Sequence, residues 1–176
     1  AAFMYMWTYT NGGIAENIWN TTDPKSADYQ TAGNWVGVVF AVQALGSVLW
    51  AMVIPSFKSY KSAYVVSLLL GAIGFISTIF IHNQYILFVS YLLIGCAWSA
   101  MLALPFTILT NALSGKNMGA YLGLFNGTIC LPQIVAAALG GVIYKYVTNE
   151  SSIYMLLVAG ILLVFGAFSV FTIKEK

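Results

Sequence analysis

Two side-chain amides lie within an apolar stretch that is long enough to cross a lipid bilayer. The stretch is Asn117 to Gly141, NMGAYLGLFNGTICLPQIVAAALGG, and the amides belong to Asn126 and Gln133. An amide in hydrocarbon is unfavourable unless it has a hydrogen-bonding partner or faces a wet cavity. Because the two residues are seven positions apart, nearly two helical turns, both side chains are predicted on one helix face. We therefore predict that this face lines a pathway for a solute.

Two further residues of this kind lie near the middle of other apolar stretches. Gln43 is a mid-stretch amide, and Trp98 is a mid-stretch aromatic residue. A flat indole ring can stack on a solute, although packing in the core is the alternative for Trp98. Gln43 has a hydrogen bond between helices as its alternative role.

The composition places these residues in a membrane. Hydrophobic residues make up 60% of the 176 positions and charged residues only 7%, which excludes a water-soluble surface. The apolar stretches have the length of membrane-spanning helices rather than of barrel strands, so we predict an all-α integral membrane protein. The predicted spans are a partial one at about 1–20 and complete ones at about 33–54, 63–81, 85–113, 118–144 and 153–173.

Two predictions concern how these spans are arranged. The span at 63–81 has few polar residues, and we expect it at the periphery of the bundle. Gly12 and Gly13 follow Asn11. A glycine pair at this position predicts either a break in the helix, which would expose backbone groups to a ligand, or the end of the helix.

The lysines indicate the orientation, because cytoplasmic loops are enriched in Lys and Arg. One side of the membrane receives five lysines and the opposite side two, and we predict that the lysine-rich side, with the C-terminus, is cytoplasmic. The five are Lys58, Lys61, Lys116, Lys174 and Lys176, and the two are Lys25 and Lys145.

Several function classes are disfavoured. The sequence has no pair of acidic residues, no histidine cluster and no nucleophile beside a base, so we do not expect an enzyme. Cys96 and Cys130 lie inside predicted spans without metal-ligand spacing, and no metal or cofactor is predicted. The sequence has no basic cluster of the kind that indicates nucleic-acid binding, so no nucleic-acid partner is predicted. A structural subunit of a membrane complex is the alternative to a transporter, but it would not need three mid-span amides.

Two motifs resemble a known transporter family. The arrangement G-x-x-x-G-x-x-N-x(5)-P-Q runs from Gly119 to Gln133, and A-W-S-x(5)-P precedes it from Ala97 to Pro105. Together they resemble the C-terminal half of major facilitator superfamily transporters, and among these the glycoside and disaccharide cation symporters that include the sucrose and maltose carriers. The resemblance extends from about Gly33 to Tyr146.

The resemblance implies a fold and an activity. The chain would form helices seven to twelve of a twelve-helix fold, the first one truncated, with an N-terminal half missing. It would transport a sugar or glycoside by alternating access, coupled to H⁺ or Na⁺. Coupling usually requires a carboxylate in the membrane, and of the acidic residues only Glu16 approaches a span. The coupling residue is therefore expected in the missing half.

The resemblance also assigns the candidate residues to one solute site. Sugars carry many hydroxyl groups and apolar ring faces, so amides and aromatic rings suit them. We favour Gln43, Asn126 and Trp98, and for each of them helix packing is the alternative. The full set of predicted substrate-binding residues is Gln43, Asn126, Trp98, Gln133, Asn11, Trp7 and Tyr9.

Overall fold

The computed structural model describes residues 1–113 and 118–172, which form six α-helices joined by short connections and contain no strand. The predicted all-α class is confirmed. Lys116, Lys174 and Lys176, used above for the orientation, lie outside the described residues. The helices are α1 (Ala2–Trp19), α2 (Ala27–Val53), α3 (Tyr60–Ser77), α4 (Leu87–Ala112), α5 (Met118–Tyr146) and α6 (Ser152–Val170).

Five of the helices, α2 to α6, are long and apolar enough to cross a bilayer. Their mean hydropathy lies between 1.6 and 2.5, and a span needs about 20 predominantly apolar residues. The chain is an integral membrane protein. Short 3-10 turns, Ile54–Ser56 and Thr78–Phe80, follow α2 and α3.

Serine caps fix where α2 and α3 begin. The Ser26 hydroxyl accepts a hydrogen bond from the Tyr29 N–H at 3.1 Å, and the Ser59 hydroxyl accepts one from the Ser62 N–H at 3.3 Å. Such bonds satisfy N–H groups that have no partner within the helix. Helix α2 therefore begins at Ala27, before the apolar span itself.

Helix α3 lies inside the bundle and packs against α4 and α6. Half of its most apolar 18 residues are buried, a larger share than in any of the other four spans. A Cβ added at Gly74 would lie only 2.6 Å from the Ser90 carbonyl oxygen of α4. The expectation that 63–81 lies at the periphery is wrong, because its small residues allow close contact with two helices.

Helix α1 runs through Gly12 and Gly13 without interruption and ends at Trp19. The expectation that the helix breaks or ends at these glycines is wrong. A Cβ at Gly12 would lie 2.9 Å from Ser152 Cβ, and one at Gly13 would lie 3.3 Å from Ile153 Cα. The two glycines thus allow α1 to approach the start of α6 closely.

The last turn of α1 holds two interhelical connections in place. Glu16 accepts a hydrogen bond from the Ser151 hydroxyl at 2.6 Å and another from the Ser152 N–H at 2.9 Å. Asn17 donates from Nδ2 to the Ile81 carbonyl at 2.8 Å. A carboxylate is favourable at a helix N-terminus, where N–H groups point outward. Glu16 thus caps α6, and Asn17 binds the α3–α4 connection.

We expect Glu16→Gln to lower the stability of the protein, because the capping carboxylate loses its charge. A lost cap with a charge-assisted hydrogen bond costs about 1–2 kcal/mol, or a few degrees in the unfolding midpoint. The midpoint would be measured by thermal unfolding in detergent. Glu150→Gln is the control, because Glu150 lies in the same connection and its carboxylate makes no hydrogen bond to a described residue. Equal midpoints for the two variants would contradict the capping role.

Candidate solute-binding site

The crossing of α2 and α4 places Gln43 in the interior. A Cβ added at Gly46 would lie 2.5 Å from the Leu92 carbonyl oxygen, and one at Gly95 would lie 2.7 Å from the Ser47 nitrogen. The Ser47 hydroxyl also donates to the Gly95 carbonyl at 2.9 Å. The two backbones are therefore in direct contact, and this contact fixes the turn of α2 that carries Gln43.

The Gln43 side chain is largely buried and has no hydrogen-bonding partner among the described residues. Its exposed fraction is 8%, and its amide makes no hydrogen bond to any residue that the structure describes. Its amide atoms are not fully buried, because Asn11 Oδ1 is the only fully buried side-chain polar atom without a partner among the described residues. Water or a bound solute can supply the missing partner.

Three aromatic residues, Phe3, Trp7 and Trp98, form a cluster between α1 and α4. The Trp98 ring centroid lies 4.8 Å from that of Phe3 and 5.4 Å from that of Trp7, with the two indoles nearly perpendicular at 81°. Trp7 keeps 48% of its surface exposed. The aromatic cluster therefore presents an open indole surface.

The aromatic cluster and Gln43 belong to neighbouring turns. The Gln43 carbonyl faces Gly95 across the helix crossing, and Trp98 follows Gly95 by three residues. Three residues of helix advance about 4.5 Å, less than one turn. Hydrogen-bonding and stacking groups thus lie at similar depth in the bundle.

Two other candidates on α1 face different neighbours. Tyr9 stacks on Tyr144 of α5, with centroids 5.3 Å apart and an interplanar angle of 24°. Asn11 lies against α2, where a Cβ at Gly33 would be 3.6 Å from its amide nitrogen. The Asn11 Oδ1 is buried and has no hydrogen-bonding partner within the described residues. Asn11 is thus a second unpaired amide, separate from the aromatic cluster.

The amides of α5 lie apart from this region. Asn126 and Gln133 are exposed, and a Cβ at Gly119, Gly123 or Gly127 would meet no atom within 4 Å. Helix α5 contacts α1 further along, where a Cβ at Gly140 would lie 3.2 Å from the Tyr5 ring. The structure therefore brings Trp98 and Trp7 into contact, with Gln43 at a similar depth on α2, and it leaves Asn126 and Gln133 exposed on α5.

Sequence reasoning missed two residues of these contacts. Phe3 precedes Trp7 by four positions, the spacing of neighbours on one helix face, so its place in the aromatic cluster had a sequence signal. Tyr144 had none, because its partner Tyr9 lies on a helix far away in sequence. Among the described residues, no group of three or more His, Cys, Asp or Glu side chains is arranged to hold a metal ion.

Comparison with known proteins gives one match. The family model described as Major Facilitator Superfamily matches residues 1–176. No curated protein and no solved structure matches the chain.

Proposed function

The chain belongs to the Major Facilitator Superfamily, a family of membrane transporters, and from this premise we propose that it transports a sugar or glycoside. The proposed mechanism is alternating access, coupled to H⁺ or Na⁺. The superfamily indicated by the sequence motifs is confirmed, and the six helices fit part of its fold.

The observation that carries the proposal is the Gln43 amide, which has no partner among the described residues and lies at a similar depth to the aromatic cluster. Gln43 has one acceptor and two donor positions, which match the mixed character of sugar hydroxyls. The exposed Trp7 indole, braced by Trp98, offers a flat surface for an apolar ring face. Neutral solutes bind in pockets that combine a few such polar groups with aromatic walls.

We assign the remaining candidates to secondary positions on the solute pathway. The buried Asn11 amide oxygen has no partner among the described residues, and Tyr9, two positions earlier on α1, faces α5 instead. Asn126 and Gln133 are exposed on α5, where apolar surroundings would be costly for an amide. A wet pathway along this face of α5 would remove that cost.

We place the coupling carboxylate in another part of the transporter, in a preceding helical half. Among the acidic residues that the structure describes, Asp28 lies in the first turn of α2, and the Glu16 carboxylate is already engaged by Ser151 and Ser152. We also propose that the end bearing Lys58 and Lys61 faces the cytoplasm, in the cytoplasmic membrane. Helix α2 places this end opposite Lys25.

The proposal is tested by uptake into proteoliposomes that contain the natural full-length protein. A panel of disaccharides and glycosides would be compared with an amino acid and an organic anion, each with and without an imposed H⁺ or Na⁺ gradient. Gradient-dependent uptake of a sugar is the expected result. Selective uptake of a charged solute would overturn the sugar assignment, and no uptake of any solute would favour a structural subunit.

Trp98→Leu is expected to raise the KM for the sugar about tenfold, whereas Trp98→Phe should retain most of the affinity. The physical reason is that Trp98 braces the Trp7 indole, and an aromatic pair contributes on the order of 0.5–1.5 kcal/mol beyond its buried area, which phenylalanine partly preserves. Initial rates of uptake over a range of sugar concentrations would be measured. Trp35→Leu is the control, because Trp35 lies outside the aromatic cluster and its Nε1 donates a hydrogen bond to the Gln84 carbonyl at 3.2 Å. Equal KM values for the Trp98 and Trp35 leucine variants would contradict the stacking role.

A further inference from the structure

A cavity lies at the end of the bundle that carries Lys58, away from Gln43. Its volume is about 830 Å³, within the range of about 300–1,000 Å³ that is typical of ligand pockets. It is bounded by the end of α2, the α2–α3 connection, the start of α3 and the second half of α4.

The cavity is long and follows α4. Ser99 lines it at one end and Asn111 at the other. The twelve residues between these positions correspond to about 18 Å of helix. Because Asn111 lies at the last turn of α4 and Ser99 near its middle, the cavity extends from the bundle end toward the membrane interior.

The deep part of the cavity offers little for a polar ligand to bind. The Ser99 hydroxyl donates to the Cys96 carbonyl at 3.2 Å, and the Thr107 hydroxyl donates to the Ala103 carbonyl at 2.9 Å. Both hydroxyls are therefore already satisfied within α4. The neighbouring walls are apolar, formed by Ala51, Ile54, Ala103, Leu104 and Ile108.

The mouth of the cavity is basic. Lys58 lines it, together with the amide of Asn111. Lys58 makes no hydrogen bond or ion pair with a described residue, whereas nearby Lys61 donates to the Phe171 carbonyl at 2.7 Å. No acidic residue occurs among the described residues that line the cavity. A cation with no acidic partner among the described residues thus lies at the exposed end of an apolar cavity.

We propose that this cavity binds an anionic phospholipid, with the headgroup phosphate beside Lys58 and an acyl chain along Ile54 and Ile108. The combination of a basic mouth and a long apolar wall matches this amphipathic shape. Basic pockets between membrane helices bind anionic headgroups in this way. A sugar would leave most of its hydroxyl groups unpaired against these walls. A free phosphate could use Lys58 but not the apolar wall. The site is independent of the proposed transport activity.

The headgroup contact is tested by native mass spectrometry of the full-length protein in detergent with phosphatidylglycerol or phosphatidylcholine. We expect preferential binding of phosphatidylglycerol, weakened on the order of fivefold by Lys58→Gln, as expected for one lysine near an anionic headgroup. Lys25→Gln removes the same charge in an exposed loop at the opposite end and should leave binding unchanged. Equal binding of the two lipids, or equal effects of the two lysine substitutions, would overturn the proposal.

The acyl-chain contact is tested with a second pair of variants. Ala103→Phe fills the apolar wall, whereas Leu102→Phe alters the adjacent position, which is 61% exposed and does not line the cavity. Only the Ala103 variant should lose phosphatidylglycerol, and glycerol phosphate should not compete with the lipid in the unmodified protein. Competition by glycerol phosphate at equal concentration, or unchanged lipid binding by the Ala103 variant, would indicate a plain anion site and refute the lipid assignment.

Discussion

Replacing Gln43 by leucine is expected to lower kcat/KM for solute uptake by about tenfold to a hundredfold, while the protein remains as stable as before or becomes more stable. Loss of one or two hydrogen bonds to a solute costs about 1–3 kcal/mol. In the solute-free protein the same amide is enclosed, with 8% of its surface exposed, and it has no partner among the described residues. Leucine therefore removes no hydrogen bond to a described residue and adds apolar surface at a largely buried position.

Opposite changes in uptake and stability distinguish a binding residue from a packing residue. Uptake kinetics in proteoliposomes and thermal unfolding in detergent would be measured on the same preparations. Gln84→Leu serves as the matched control, because its side chain lies in the α3–α4 connection and makes no hydrogen bond to a described residue. Destabilisation of Gln43→Leu together with unchanged kcat/KM would show that the amide only supports packing.

Asn126→Leu extends the same experiment to α5. If the exposed face of α5 lines the pathway, this variant lowers uptake as Gln43→Leu does. If uptake falls only in the Gln43 variant, the site is confined to α1, α2 and α4. Unchanged uptake in both variants, at normal expression, would contradict the transport-site hypothesis.

Gly95→Ala is expected to destabilise the protein by about 3 kcal/mol or more and to reduce the yield of folded protein. The added Cβ would lie 2.7 Å from the Ser47 nitrogen and 3.0 Å from the Gly46 carbonyl carbon. These are backbone atoms, so the contact cannot be relieved by rotating a side chain, and α2 and α4 must separate. Such a separation would also disturb the Ser47 hydrogen bond and the turn carrying Gln43.

Gly37→Ala is the control for this prediction. Gly37 is also a helical glycine, but a Cβ there would meet no atom within 4 Å. Alanine has a higher helix propensity than glycine, so Gly37→Ala should be neutral or stabilising by up to about 1 kcal/mol. Yield after size-exclusion chromatography and the unfolding midpoint would be compared. Similar values for the two variants would mean that α2 and α4 cross less closely than the structure has them.

The sequence itself determined the class of this protein. Hydrophobic residues at 60% and charged residues at 7% exclude a soluble fold, and the length of each apolar stretch specifies a helix that can cross the bilayer. These properties depend on local composition, because each spanning helix satisfies its own backbone hydrogen bonds. The motif from Gly119 to Gln133 also indicated the superfamily.

The residue types and their positions in the sequence also predicted part of the candidate site. Gln43 and Trp98 were predicted as site residues because they are a polar and an aromatic residue near the middle of apolar stretches. The positions of α1, α2 and α4 alone show that Trp98 contacts Trp7 and that the Gln43 amide has no partner among the described residues. A single sequence predicts which residues share a face of each helix, but it does not predict which neighbouring helix packs against that face.

The tertiary structure decided the packing, and here sequence reasoning was least successful. The span at 63–81 has an apolar surface all round, and such a surface suits lipid and a neighbouring helix equally. Its burial by α4 and α6 depends on small residues such as Gly74, which allow close approach. Glu16 is a polar residue near a helix end, and its role as the cap of α6 arises from a contact between residues far apart in sequence. In a membrane, hydrophobicity drives insertion of each helix but does not choose its neighbours, so shape and interhelical hydrogen bonds must do so.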